Sequence, residues 1–295
     1  AGVEKALEAD AYNELAQHLG IKVIHIAERD TQVTNKPKQL NEFVNTWSVE
    51  GFYEEGIAPA ELGWGTHEKL LPPNAYEHKT GPKNQILMAQ PGATTWVRSW
   101  VPNCETTGMV VRHGEAFTLS DHLTVWQGDQ AIYRPTVHYA YCPSNEAIVS
   151  MRELEMRQWD LTPNQRIMND EITDGEDRLG VLLMGHAYKS WWTGSLLNIH
   201  DSRKLVPNQS ATTVQVGSAV FAAVAWIMAN PNKGLLVPDD MPWREVLPYA
   251  EKYWGGFYSE AADWDPLQTR NDLYAGWNNR KYDTSDPWQF TNFLV

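Results

Sequence analysis

Cysteine is scarce: Cys104 and Cys142 are the only two in 295 residues. They form no CxxC pair and cannot build a disulfide framework, so a small stapled secreted domain is excluded and a reducing, cytoplasmic compartment is expected. Positive charge is scarce too. Lys and Arg number 24 against 37 Asp and Glu, a net charge of −13. A nucleic-acid partner or an anionic membrane surface would need the opposite balance. Glycine-rich phosphate loops of the GxGxxG or GxxxxGK[ST] type are absent, as are HExxH and GxSxG, so no nucleotide cradle, zinc-protease motif or serine elbow is predicted. The longest apolar stretch, Gln215–Ala229, falls short of the roughly 20 residues of a membrane span and reads as a buried helix. No apolar leader is visible in Ala1–Gly20, and no internal repeat or low-complexity run occurs.

Hydrophobic residues make up 42% of the chain, enough for a substantial core, and the 14 tryptophans must fill a core, an interface or a ligand pocket. Glu4–Leu19 has helical spacing and ends at Gly20, and the β-branched run Ile21–Ala27 follows as a strand. This helix–strand start reads as the middle of an αβ unit. Further strands are predicted at Glu42–Trp47, Gln85–Met88, Thr94–Val101, Met109–Val111, Thr136–Tyr141, Leu179–His186 and Ser190–Asn198. Ser48–Thr66, punctuated by Gly51, Gly56, Pro59 and Gly63, reads as loop. Helices are predicted from Asn145 to about Trp159 with Ser144 as N-cap, over Asn208–Asn230, and from Asp240, as cap, to Trp254. The last 40 or so residues lack periodicity, and Trp264, Trp277 and Trp288 are expected to pin an extended tail to the body.

Three clusters carry chemistry. His25–Gln32 places polar residues at the C-terminal end of a strand, where open α/β sheets bind ligands, and Glu28 could serve there as ligand group or base. Asn45–Gly56 sets Trp47 beside Glu54 and Glu55. A ring face with nearby carboxylates is how a site grips an ammonium. His113-Gly114-Glu115, read as strand, puts an imidazole and a carboxylate on one face. A buried structural pair or a solvated turn would account for each cluster taken alone. Asp174, Glu176 and Asp177 could add negative charge to a pocket rim. No third ligand can be named for a metal, and both cysteines read as passive.

Together these segments resemble bacterial homospermidine synthases. The resemblance is carried by His25–Gln32, Asn45–Gly51, Pro59–Glu68 (PAELGWGTHE), His138–Pro143, Leu179–Gly185, Trp191–Ser195 and Ala211–Val216, with a looser match over Asp263–Leu267. It implies an α+β (mixed α/β) fold of the saccharopine dehydrogenase-like type, a mixed sheet flanked by helices. The same family carries a Rossmann domain whose glycine-rich turn is not found here. This chain is therefore expected to be the later portion, to bind NAD weakly alone, and to send its long helix back toward a nucleotide domain.

The implied organisation is a substrate-binding and dimerisation domain over 1–206, followed by long helix, short helix and Trp-rich tail over 207–295. The implied reaction joins two putrescines into homospermidine and ammonia through imines, with NAD as recycled redox group, in a cytoplasmic homodimer without nucleic acid or membrane. Carried over residue by residue, Trp47 matches a cation–π tryptophan and Glu55, with Glu54 as neighbouring alternative, an entrance carboxylate. Glu28, with Asp30 as alternative, matches a substrate carboxylate, and His113 and Glu115 the pocket-lining pair. Asp177 is a further substrate-binding candidate. The catalytic set is then Glu28, His113 and Glu115. A related amine or amino-acid dehydrogenase would instead need a basic pocket, built from Arg98, Arg112 or Arg134. A non-catalytic oligomerisation domain would need no pocket.

Overall fold

The computed structural model describes residues 2–270, 273–274, 277 and 281–295. Among them a ten-stranded mixed sheet forms the body. Its strands, in chain order, are β1 (Val23–Asp30), β2 (Pro59–Gly63), β3 (Ala75–Glu77), β4 (Gln85–Pro91), β5 (Trp96–Val101), β6 (Cys104–Met109), β7 (Thr136–Cys142), β8 (Glu176–His186), β9 (Lys189–Asn198) and β10 (Phe257–Ala262). They lie in the order β10-β9-β8-β1-β7-β2-β4-β3, with β6 bridging β5 to β7. The β1–β7 pair is parallel and β1–β8 antiparallel. Helices α1 (Gly2–Glu8), α2 (Tyr12–Leu19), α3 (Val49–Ile57), α4 (Glu115–His122), α5 (Asn145–Met156), α6 (Ile199–Leu205), α7 (Ala211–Ala229) and α8 (Trp243–Ala250) surround it. This is the expected mixed sheet flanked by helices.

Strand β1 shows how the sheet divides labour. Alternate residues of a strand face opposite sides. His25 and Ala27 point one way, into a core with Leu182, Met184, Trp192, Phe290 and Phe293. Ile26 and Glu28 point the other way, to the face that α7 covers. Their registered neighbours follow: Ile26 pairs with Tyr139 and Val181, and Glu28 with Tyr141 and Leu179. Gly180 and Gly194 face each other across β8 and β9 because the Trp192 ring lies over them; a Cβ on Gly180 would sit 2.5 Å from that ring.

Several sequence expectations change in three dimensions. The single helix over Glu4–Leu19 is two, broken where Asp10 adopts φ +51° and pairs with Arg244 of α8. Ser48–Thr66 is not loop but α3 and β2. Ser48 caps α3 by accepting from the Gly51 amide, and the glycines that suggested a turn serve packing. A Cβ at Gly51 would meet the Trp47 ring at 3.0 Å, and one at Gly56 the Met151 side chain at 2.8 Å. Asp240 lies in a 3₁₀ turn and does not cap α8, which starts after Pro242. In the tail Trp264 and Trp288 are buried as expected, but Trp277 is 89% exposed. Phe290 and Phe293 are the fully buried anchors.

The apolar composition of α7 predicts a buried helix, and the resemblance implies an exposed apolar face; only one face is buried. Thr212, Val214, Gln215, Ser218, Ala222 and Trp226 pack inward, while Val216, Val220, Val224, Ile227 and Met228 are exposed. By length and composition it could cross a membrane. Its inner face is instead hydrogen-bonded to the sheet: Gln215 Nε2 donates to Ser195 Oγ at 2.7 Å and to the Asp177 carbonyl at 3.2 Å. At its N-terminus Ser210 Oγ accepts from the Thr213 amide and donates to the Thr46 carbonyl at 2.7 Å.

Candidate active site

A cavity of about 620 Å³ lies between α7 and the β1, β7, β8, β9 face. Glu28, Trp47, Glu55, His113 and Glu115 all line it, together with Tyr139, Tyr141, Gln215, Trp254 and Phe257. The sheet supplies the floor by strand alternation. The turn after Glu42–Asn45 and helix α3 supply Trp47 and Glu55.

Glu28 is buried, and Tyr139 Oη donates to its Oε2 at 2.5 Å. Burial pushes the Glu28 carboxyl up to about 7; the Tyr139 hydrogen bond opposes that, and the Asp30 charge adds to it. A carboxyl poised near neutrality can accept or return a proton at working pH. Asp30, the neighbouring alternative, is spoken for. It accepts from Thr46 Oγ1 at 2.5 Å, from the Gln32 amide at 2.8 Å and from Gln32 Nε2 at 3.0 Å, so it ties β1 to the segments around it. Glu54 points to solvent while Glu55 lines the cavity.

His113 and Glu115 are not on a strand. Strand β6 ends at Met109 and α4 begins at Glu115, so the pair spans a helix N-terminus. They nevertheless meet: His113 Nδ1 lies 2.5 Å from Glu115 Oε2, and its Nε2 lies 3.5 Å from Glu55 Oε1. Burial disfavours the imidazolium, but the two carboxylates outweigh it and push His113 up to about 10. It is therefore a cation at neutral pH. Trp47 Nε1 donates to Tyr141 Oη at 2.8 Å, leaving the half-buried indole against Phe52 and Tyr141.

Asp177, expected near a pocket rim, is fully buried and does not line the cavity. Its register opposite Asp30 places it under the N-terminus of α7. Burial, with Glu28 and Asp30 beside it, lifts its carboxyl well above the usual range.

The three arginines of a basic pocket are elsewhere. Arg98 pairs with Glu105, Arg112 with Glu61, and Arg134 donates to Thr124 Oγ1. Among the described residues, the charged groups lining the cavity are thus three carboxylates and one histidine already claimed by two of them. A dinucleotide's pyrophosphate does not fit such a wall. A cationic, partly apolar ligand does fit: ring face, carboxylates and alkyl walls are all present.

A sequence profile of the Saccharopine dehydrogenase C-terminal domain matches residues 3–254. The chain belongs to that family. It is 46% identical over 298 residues to the homospermidine synthase of Blastochloris viridis, and 45% identical over 291 residues to that of Mesorhizobium japonicum. These alignments cover 99% and 98% of the chain but 61% and 59% of the relatives, so it spans about three-fifths of their length. The crystal structure of a homospermidine synthase from Legionella pneumophila in complex with NAD superposes with a TM-score of 0.93 at 39% identity, covering 100% of this chain and 67% of that one. The family membership confirms the expected saccharopine dehydrogenase-like fold. Tyr139, Tyr141 and Gln215 escaped the sequence reading, since tyrosine in a strand and glutamine in an apolar helix look like ordinary packing; their spacing opposite Glu28 is the signal that exposes them.

Proposed function

We propose that this chain is the diamine-binding part of a homospermidine synthase, which converts two putrescines into homospermidine and ammonia. The carrying observation is the cavity that joins the Trp47 ring to Glu28, Glu55 and Glu115, with no arginine or lysine among the described residues of its wall. NAD, present in the Legionella structure, supplies the oxidation and reduction of the amine carbon. The residues here bind and move protons. Trp47 takes an ammonium on its ring face, and Glu55 and Glu115 draw the dication in at the mouth. Glu28 accepts the proton that frees the reacting amine. His113 holds Glu55 and Glu115 apart and in place. The apolar residues of α7 and the Trp254–Phe257 edge line the space that receives the diamine's alkyl chain. Asp177 works from behind, its carboxyl hydrogen-bonding toward Glu28 and favouring the Glu28 carboxylate. We propose further that the protein acts as a cytoplasmic homodimer; the free thiols Cys104 and Cys142 support a reducing compartment.

The test is turnover. With NAD and putrescine, the full-length protein that carries this chain should yield homospermidine and an equal amount of ammonia by mass spectrometry, with no net NADH. Glu28→Gln should abolish it. Steady NADH release, or activity on an amino acid in place of putrescine, would instead identify a simple dehydrogenase.

A further inference from the structure

We infer that Tyr139 and Tyr141 are the positioning residues of this cavity: they hold the Glu28 carboxylate and the Trp47 ring at a fixed separation and so set the length of diamine accepted. This rests on the diamine-binding reading above. The two tyrosines are alternate residues of β7 and project from the same face, with ring centroids 6.0 Å apart at 78°. Tyr139 Oη donates to Glu28 Oε2 at 2.5 Å, and Tyr141 Oη accepts from Trp47 Nε1 at 2.8 Å. One strand thus fixes both recognition groups. Each phenol is itself clamped, Tyr139 by the His113 ring at 4.9 Å and Tyr141 by Phe52 at 5.4 Å. Without these bonds the carboxylate could swing and the indole would lose its polar anchor. Burial lifts both phenols well above their ordinary range, so they act as neutral hydrogen-bonding struts and not as bases.

Every group facing Glu28 enters the sign of the effect. Asp30 on β1 favours its protonated form; Tyr139 on β7, the His113 cation before α4 and the Asp177 side chain on β8 favour the carboxylate. Tyr141 is uncharged at working pH. Removing the Tyr139 hydroxyl deletes one carboxylate-favouring partner, so Glu28 keeps its proton to higher pH.

The experiment uses Tyr139→Phe and Tyr141→Phe, with Tyr133→Phe as control. The Tyr133 hydroxyl donates to the Ile21 carbonyl, and Tyr133 does not line the cavity, so its loss reports buried-hydroxyl damage alone. Each is made in the full-length protein and assayed with NAD on 1,3-diaminopropane, putrescine and 1,5-diaminopentane across pH, after thermal melts confirm folding. Tyr139→Phe should move the acid limb of kcat/KM upward by about one pH unit, the loss expected for one hydrogen bond to a charged group. Tyr141→Phe should raise KM for putrescine about fivefold and shrink its preference over the other diamines by a similar factor. Tyr133→Phe should do neither. If both variants lose activity by one factor at all pH and for all diamines, or lose none, the positioning role is wrong. If the parent protein turns over no diamine, the functional reading falls with it.

Discussion

Trp47 is the residue on which recognition turns. Ring-face attraction to a desolvated cation is worth up to about 2 kcal/mol. Trp47→Ala should therefore weaken putrescine binding roughly 30-fold by calorimetry. Because the indole is only half-buried, the melting temperature should fall far less than for a core tryptophan. Glu28 carries the opposite bargain, since it is held in the fold at a cost. A carboxyl raised to about 7 binds more protons folded than unfolded, so its stabilising contribution is complete below its unfolded value and is lost as pH rises through 7. Glu28→Gln cannot ionise, so its melting temperature should gain on the parent protein between pH 5 and pH 8 while turnover vanishes. An unchanged difference across that range would mean that Glu28 ionises freely. His113, raised to about 10, likewise stabilises fully below its unfolded value and loses that as pH rises through 10.

At the scale of elements, local signals that agreed with packing were legible. The strand at Ile21–Ala27, the Ser144 cap and the hairpin of β8 and β9 follow from β-branched runs and capping chemistry, and the structure keeps them. Helix α3 was hidden because Gly51 and Gly56 mimic turn punctuation while serving the Trp47 ring and Met151. The His113–Glu115 pair was legible as a pair but not as a helix start, since nothing local marks where β6 ends. The cluster Glu28, Trp47 and Glu55 came together through resemblance and not through spacing, because its members are brought together by strand register and helix docking. Helix α7 shows how one element both walls the cavity and holds the site from its cap. Its cap Ser210 also anchors the Thr46 carbonyl next to Trp47. Ser210→Ala should cost about 1 kcal/mol in denaturant unfolding and weaken diamine binding as well. A stability loss with unaltered affinity would uncouple α7 from the ring.

Over the whole molecule, the end of the chain completes the sheet's second core. Phe290 and Phe293 pack against His25 and His138 on the face opposite the cavity, and β10 pairs with β9. Aperiodic sequence conceals this, because burial there is decided by segments distant in the chain. Phe290→Ala should cost about 3–5 kcal/mol and leave a single unfolding transition if tail and sheet form one cooperative unit. An early separate transition would show the tail to be peripheral. The surplus of 13 negative charges, at first reason only to exclude phosphate partners, is in part concentrated on the cavity wall, where it suits a dication. The most direct measurement is a crystal structure with putrescine bound. One ammonium should lie over the Trp47 ring, with the chain running toward Glu28. A diamine bound outside this cavity, or Trp47 turned away from it, would contradict the account.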